Sequence, residues 1–449
     1  MARDLNEIMW QKFVNGLCAS SAGKGLDPAA LMPTGGLNNA DWEVMDITGL
    51  PPAGPNPPSH GSVIVPALEK WTNVMPEWKP VYTPSFMNFY DQYTAFLNSI
   101  ALKGGNPALQ QIADGYATNM TTARKKLSAD QAEMYQAWSA FNTAQASIPP
   151  SAQMSFTQWY NQNWSDTITA DTNNLSAQSL LFNQAMAKVG GPDYQTISGA
   201  MKAAELNPMA GNALTGPSGV ALPAYTITPG LNDWYVSVLQ TLSSGSKPAI
   251  EFTISLNDSD SSKISTSSYL NAATAVSYRG FCWGGKASAS YSQSKGAQEY
   301  DSLVNNLTMT YSAQAATIFD ITVGNWFNSS IVADFYDQIS PTSALANKQL
   351  FGENGVLNLR CSRLLVVLKP SITLKGDKTQ ISTLATQFQQ QSAASVSVGA
   401  FCWSASASVS QGQSRYTQDV KQSTDGTSIT MTDNTNAPKV IAVMPAVLK

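Results

Sequence analysis

Four cysteines and one histidine are the residues of this chain that could bind zinc or serve in a thiol- or histidine-based catalytic site. The cysteines stand at positions 18, 282, 361 and 402 without a C-x-x-C pair, and the histidine is His60. Zinc and thiol–metal sites need closely spaced Cys and His ligands, so this spacing excludes them. A Ser-His-Asp or Cys-His arrangement would depend wholly on His60, which lies in a segment rich in Pro and Ser. We therefore predict a protein that is not an enzyme, with no catalytic residue, metal or cofactor.

Two further segments resemble ligand-binding motifs only in part. Ser21-Ala22-Gly23-Lys24-Gly25 has a lysine between glycines, but it lacks the P-loop spacing and the Ser or Thr after Lys. Asn257-Asp258-Ser259-Asp260 is an acidic turn of the kind that can hold a cation. The C-terminal half contains an internal repeat, described next, in which the corresponding segment is Lys375-Gly376-Asp377-Lys378. This segment does not keep the acidic pair, which favours a solvated turn at both places.

Two of the cysteines belong to a repeated tripeptide. Phe281-Cys282-Trp283 returns 120 positions later as Phe401-Cys402-Trp403, and a run of small residues, mainly Ser and Ala, follows each copy. A match of this length in uncommon residues is typical of an internal repeat. If the copies meet about a pseudo-twofold axis, Cys282 and Cys402 could form a disulfide. The simpler interpretation is two buried free thiols.

The Ser/Ala runs allow three interpretations. Alternating Ala and Ser leaves both faces of a strand small, which packs poorly in an ordinary core. The run could be a long loop whose aromatic triplet fills the core, a contact between subunits, or a hairpin that enters a membrane with an aromatic tip at the interface. In the last two cases the contact residues are Phe281, Trp283, Phe401 and Trp403.

The elements around the repeat are predicted to be strands. Residues rich in β-branched and aromatic types predict strands at 249–256, 307–311, 318–323, 364–368, 372–374, 429–432 and 440–443. Each copy follows the same order of strand, long excursion, strand and strand. We therefore predict a C-terminal β domain of two pseudo-symmetric repeats, unit 1 at 249–326 and unit 2 at 364–449, with a connector at 327–363.

The first half of the chain is predicted to be helical. Residues 85–207 show apolar spacings of three and four, with one helix from Asn106-Pro107 to about 146 and another from about 154 to 188. Joined by a short proline turn, they form a long antiparallel helical hairpin or bundle. An N-terminal amphipathic helix (1–26), a Pro-rich arm (27–84) and a linker (208–248) complete an α+β fold.

Composition restricts the partners. Charged residues make up 12% of the chain, the net charge is −4, and no block of Lys and Arg occurs. Nucleic-acid binding needs such a block, so we expect none. Charges at Arg3, Asp4 and Glu7 interrupt the apolar stretch that a signal peptide requires, and no segment is long and apolar enough to span a membrane. We expect synthesis in the cytoplasm, followed by retention or by release without a cleavable signal.

These features favour a non-enzymatic, membrane-active protein of the pore-forming, insecticidal-toxin-like type. Such a protein oligomerises and inserts its Ser/Ala-rich or helical hairpins, so its partners are itself and either membrane lipid or a cell-surface receptor. The plan of a helical domain and a β domain resembles that of membrane-active bacterial proteins. The alternative is a structural protein that assembles into a lattice, filament or particle, in which the same segments are subunit contacts.

Overall fold

The computed structural model of the chain combines helices with an antiparallel sheet, which confirms the α+β class. The structure describes residues 5–33, 71–145, 152–206, 213–215, 221–242, 247–255, 307–393, 398–400, 403–405, 418–433 and 438–448. Most of the predicted Pro-rich arm and the whole first Phe-Cys-Trp copy lie outside the described residues.

The helices of the described part fall mainly in the first half of the chain. They are α1 (Leu5–Ala19), α2 (Phe89–Leu97), α3 (Pro107–Ala144), α4 (Phe156–Asn163), α5 (Ser165–Val189), α6 (Tyr194–Ala204), α7 (Leu231–Leu242), α8 (Ser329–Phe335) and α9 (Lys378–Ala393). At the start of α3, the Asn106 side-chain oxygen accepts the Ala108 N–H at 3.0 Å, and Pro107 occupies the first helical position, where no N–H is needed. The predicted helix at 154–188 consists of α4 and α5, which meet at Trp164, whose φ of −133° is not helical.

The strands of the described part lie mainly in the second half. They are β1 (Met32–Pro33), β2 (Val74–Pro76), β3 (Pro84–Asn88), β4 (Ala213–Thr215), β5 (Ala221–Pro223), β6 (Tyr225–Thr228), β7 (Ile250–Ser255), β8 (Thr308–Val323), β9 (Leu359–Lys375), β10 (Val398–Ala400), β11 (Trp403–Ala405), β12 (Gln418–Gln422), β13 (Ser428–Asp433) and β14 (Lys439–Val447). The two strands predicted between 307 and 323 are one strand, β8. Those predicted between 364 and 374 are also one strand, β9.

An eight-stranded antiparallel sheet is built around the long pair β8 and β9. On the outer side of β8, β7 pairs with its first half and β6 with its second half. On the outer side of β9, β13 pairs with the end of the strand and β14 with its beginning. Strand β12 extends the sheet beyond β13, and β1 extends it beyond β14.

Three buried clusters hold the described elements together, of which two are large and the third, around Met134 and Trp159, joins α3, α4 and α5. The first lies between one face of the sheet and α1, with Trp10, Phe13 and Leu17 of α1 almost fully buried against strand residues such as Leu374. The second joins α2, α3, α5 and α6 around Trp326, whose side chain has no exposed area. Burial of large aromatic side chains makes both large clusters strong contributors to stability.

Some element predictions differ from the structure. Residues 85–88, predicted as the start of a helix, belong to β3, because they pair with β2. The predicted linker 208–248 includes β6, which is part of the sheet, and α7. The predicted connector 327–363 contains α8 and the first residues of β9. The division into domains itself stays a prediction.

Candidate functional site at one end of the sheet

Four neighbouring strands of the sheet, β7, β8, β9 and β13, have ends that lie in one row. From one side to the other this strand-end row consists of Ser255, Thr308, Lys375 and Ser428. The chain leaves the row twice, through residues 256–307 and through residues 376–427. One Phe-Cys-Trp copy lies on each excursion, so both copies are attached to the same end of the same sheet.

The two excursions are symmetric about their Phe-Cys dipeptides. Their arms are 256–280 and 283–307 in the first excursion, and 376–400 and 403–427 in the second, so each arm has 25 residues. The strands at the base of each excursion pair antiparallel, Ser255 with Thr308 and Lys375 with Ser428. A hairpin that continued either register would therefore turn at the Phe-Cys dipeptide.

The second excursion has a short described hairpin around this dipeptide. In it β10 pairs with β11, so that Val398 lies opposite Ala405 and Ala400 lies opposite Trp403. This register is the one that would result from extending the pairing of β9 with β13. Among the predicted contact residues, Trp403 is the first residue of β11. Phe281, Trp283 and Phe401 lie outside the described residues, as do Cys282 and Cys402, and the contact role of all four aromatic residues stays a prediction.

The sheet near the strand-end row has one polar and one apolar face. We call the polar side the hydroxyl face, and it carries Thr253, Thr310, Ser312, Ser371, Thr373, Thr430 and Thr432. Hydroxyl oxygens of neighbouring strands lie 2.9 Å apart at Thr253 and Thr310, and 3.0 Å apart at Thr373 and Thr430. Such cross-strand pairs contribute about 0.2–1 kcal/mol each. The sequence prediction did not single out these hydroxyls, although their alternation with apolar residues was visible.

The opposite face of the same strands packs into the first core cluster. It carries Ile254, Met309, Tyr311, Ile372, Leu374, Ile429 and Met431, each less than a tenth exposed. Each of these strands therefore alternates strictly between a hydroxyl side and an apolar side. This is the pattern of a sheet whose two faces meet different environments.

Helix α1 lies against β7, at one side of the site. The ring of Phe13 contacts Phe252 edge-on at a centroid distance of 5.5 Å, and a Cβ on Gly16 would overlap the Phe252 ring. The Lys12 ammonium donates to the Ser255 carbonyl at 2.5 Å. Glycine at position 16 is thus required for the close approach of helix and strand.

Strand β12 lies at the other side of the site and is joined to β13 by a tight turn. In this turn the Asp425 carboxylate accepts the Ser423 hydroxyl at 2.6 Å and the Thr427 N–H at 3.0 Å, and Gly426 has a φ of 72°. These hydrogen bonds, first of all that from Ser423, lower the pKa of Asp425 to about 2. The carboxylate therefore keeps its charge, and the turn its hydrogen bonds, over the physiological range.

A cleft of about 680 Å³ lies on the helical side, between α3, α5 and β5. The Arg124 guanidinium lies over the Tyr90 ring at 4.9 Å from its centroid and donates to the Thr94 hydroxyl. Burial raises the pKa of Asp91 in the same wall, and the charge of Arg124 opposes this rise. The Arg124, Tyr90 and Asp91 side chains are thus engaged with one another or with Thr94 and Asn88 in the cleft wall.

The described cysteines are not activated thiols. Burial raises the pKa of the Cys18 thiol to about 11 and that of Cys361 to about 12, and both are free. No group of His, Cys, Asp or Glu within the described ranges has the arrangement of a metal site. No helix in the described part is long and apolar enough to cross a membrane.

Comparison with models of known protein families, with curated proteins and with solved structures gives no match for this chain.

Proposed function

We propose that the chain is a non-enzymatic, pore-forming protein that oligomerises and inserts its two Phe-Cys-Trp excursions into a membrane as β-hairpins. The observation that carries this proposal is the symmetry of the excursions. Both leave the strand-end row, and both have arms of equal length around the Phe-Cys dipeptide. Extension of β7, β8, β9 and β13 in their present registers then gives two hairpins that continue one four-stranded sheet.

The arms are long enough for this role. A transmembrane β-strand needs about 9–11 residues, tilted by about 45°. Each arm has 25 residues, which leaves more than half of its length to connect the sheet with the membrane. In arm 376–400 this connecting part includes most of α9 (Lys378–Ala393), which must unwind before the arm can extend as a strand. An arm that was only a surface loop would have no reason to match its partner in length.

The alternation of side chains in the second excursion supports insertion. If the register of β10 and β11 continued on both sides, one face would carry Ala394, Val396, Val398, Ala400, Trp403, Ala405, Ala407 and Val409. The other face would carry Ser395, Ser397, Gly399, Ser404, Ser406, Ser408 and Ser410. Membrane barrels alternate in this way between lipid-facing apolar residues and polar residues that line the lumen.

Near its tip, the first excursion would show the same alternation if the register of β7 and β8 were extended. One face then includes Val276, Tyr278, Trp283, Ala287, Ala289 and Tyr291, and the other includes Ser277, Arg279, Lys286, Ser288, Ser290 and Ser292. Farther from the tip, the same register would put Asp258, Asp260, Glu299 and Asp301 on the apolar side. In both excursions the polar set continues the hydroxyl face, and the apolar set continues the buried face. A one-residue difference in any arm would have reversed this agreement.

The finer architecture belongs to the same proposal. We infer that the β domain consists of two related repeats, because Ile254 pairs with Met309 next to the strand-end row as Leu374 pairs with Ile429. We also infer that α3 and α5 form an antiparallel helical hairpin, since their side chains share a buried cluster and the Lys126 ammonium contacts the Asp171 carboxylate at 2.7 Å. The helical hairpin of α3 and α5 would then support the β domain during assembly.

The release of a trapped dye from liposomes tests this function. Purified protein should release dye, and the double variant Trp283→Ala/Trp403→Ala should lose this activity, because aromatic side chains anchor hairpin tips at the interface. Tyr336→Ala is a suitable control, since Tyr336 is an exposed aromatic residue on a different surface. Equal release by the double variant would refute the tip assignment.

The second candidate is a structural protein that assembles into a lattice, filament or particle. The long, regularly paired sheet and the Ser/Ala hairpins would then be subunit contacts. Absence of any leakage at a high ratio of protein to lipid, together with ordered particles or filaments in electron micrographs, would favour this candidate over the pore-forming one.

A further inference from the structure

We propose that the outer side of β13 is the docking edge for β7 of a second copy of this chain, and that β12 must leave β13 before the copies can join. This inference rests on the proposed function, because it assumes that the second excursion extends. It adds the surface through which copies assemble and the segment that blocks this surface.

Strand β12 cannot stay in place when the excursion extends. It lies within the arm 403–427, and in the described state it folds back on β13, with Val420 opposite Met431 and Lys421 opposite Thr430. In the extended hairpin α9 would unwind, and the register of Lys375 with Ser428 would place Val420 opposite Thr383, which lies in α9 in the described state. Extension therefore removes β12 from β13 and exposes the outer backbone N–H and C=O groups of β13.

The exposed groups need a partner strand, since unpaired edges invite pairing with another chain. Within the described residues β7 pairs with β8 only, so its outer side is the matching edge. The four strands β7, β8, β9 and β13 alternate in direction. Strand β7 of a second copy would consequently run antiparallel to β13, and the hydroxyl and apolar faces would continue from copy to copy.

The chain contains a template for the register of this contact. Strand β8 is the second strand of unit 1, β9 is the first strand of unit 2, and they pair Thr310 with Thr373 and Thr308 with Lys375. If the contact between copies repeats the contact between units, Thr430 of one copy lies opposite Thr253 of the next copy. Ser428 then lies opposite Ser255, which continues the strand-end row without a break.

Helix α1 restrains the other edge. The Lys12 ammonium holds the Ser255 carbonyl, and the Ser21 hydroxyl donates to the Ala249 carbonyl at 2.8 Å, so α1 and the turn after it contact both ends of β7. Docking of a second copy requires the Ser255 and Ala249 carbonyls to give up their hydrogen bonds from Lys12 and Ser21 and to accept new ones from that copy. Two side-chain hydrogen bonds thus contact the outer edge of β7, whereas the outer edge of β13 is covered by a paired strand, β12.

A disulfide that locks β12 to β13 tests the inference. In a background without the native cysteines that still releases dye, Lys421→Cys/Thr430→Cys joins the two strands that must separate. Asp320→Cys/Arg363→Cys is the control, because it joins β8 to β9 at a pair that no step separates. It replaces a partly exposed ion pair and the hydrogen bond from Arg363 to the Gly25 carbonyl. Circular dichroism establishes that both oxidised proteins are folded.

The expected result is a loss of at least tenfold in dye release for the oxidised Lys421→Cys/Thr430→Cys protein, recovered on reduction, with no change for the control. Equal release by the oxidised and reduced forms would overturn the inference while leaving the proposed function intact. If the unchanged protein releases no dye, the function itself fails. In that case a mixture of Thr253→Cys and Thr430→Cys chains decides about docking: a disulfide that joins position 253 of one chain to position 430 of another supports it, and no such cross-link overturns it.

Discussion

Two adjacent substitutions in the second excursion separate the faces of the proposed hairpin. Ala405 lies opposite Val398 in the described register, so alternation assigns Ala407 to the apolar face and Ser408 to the polar face. Ala407→Lys then places an ammonium group against lipid, whereas Ser408→Lys places the same group in the lumen. The two variants have the same net charge and nearly the same depth.

The size of the effect follows from the register and the membrane thickness. A strand that rises about 3.3 Å per residue and tilts by about 40° advances about 2.5 Å along the membrane normal, so about 12 residues cross the 30 Å core. With the tip at the far interface, residues 403–414 span the core and positions 407 and 408 lie near its middle. A lipid-facing Lys costs about 2–4 kcal/mol at the midplane. This corresponds to a loss of about 30- to 1,000-fold in insertion.

The assay is the protein concentration that gives half-maximal dye release from liposomes. Ala407→Lys should need a concentration at least 30 times higher, while Ser408→Lys should stay within about threefold of the unchanged protein, as expected from these insertion costs. Equal impairment of both variants, or no impairment of Ala407→Lys, would refute the alternation of faces on which the hairpin proposal depends.

Three further predictions concern the described residues. Because the pKa of Asp425 is lowered to about 2, its carboxylate stabilises the β12–β13 turn above the ordinary Asp pKa of 3.8 and loses this effect as the pH falls from 3.8 towards 2. Hydrogen exchange at Thr427 and Ser428, corrected for intrinsic rates, should accelerate over this range, and Asp425→Ala, which removes the acceptor, should show the accelerated exchange already at pH 7. Phe13→Ala should lower the free energy of unfolding by about 3–5 kcal/mol, as the loss of a buried aromatic ring does, whereas Asn15→Ala on the exposed side of α1 should change it by less than about 0.5 kcal/mol in urea titrations followed by circular dichroism. Because burial raises the pKa of Cys361 to about 12, mass spectrometry after alkylation at pH 8 should find this thiol unmodified in native protein and modified in urea; rapid modification without urea would contradict its burial.

The sequence predicted the long helix α3 well because Asn106 and Pro107 are strong local signals for a helix start. It divided β8 in two, since the segment at residues 312–317 is rich in Ala and has few β-branched residues, and only pairing with strands on both sides makes it a strand. It divided β9 at Lys369-Pro370 for a related reason. Lys369 has a φ of 47°, and the strand continues past this irregularity because β8 pairs on either side of it.

The site was predictable only in part. The repeated tripeptide and the Ser/Ala alternation are visible in the sequence, but the equality of the arms is not, because an arm is defined by the residues at which its strands stop pairing. The strand-end row follows only from the strand registers, which align Ser255, Thr308, Lys375 and Ser428. Strand β12 has a polar, charged sequence with little strand propensity, and it is held by β13 and by the Asp425 turn.

The four-strand row also determines how the bore of a ring would depend on its number of copies. Strands lie about 4.8 Å apart, so four strands tilted by about 40° occupy about 25 Å of circumference. Because four is an even number, any number of copies closes without a parallel mismatch, and each additional copy widens the ring by about 8 Å. Conductance measured on single channels should therefore rise in discrete steps, with one step for each copy.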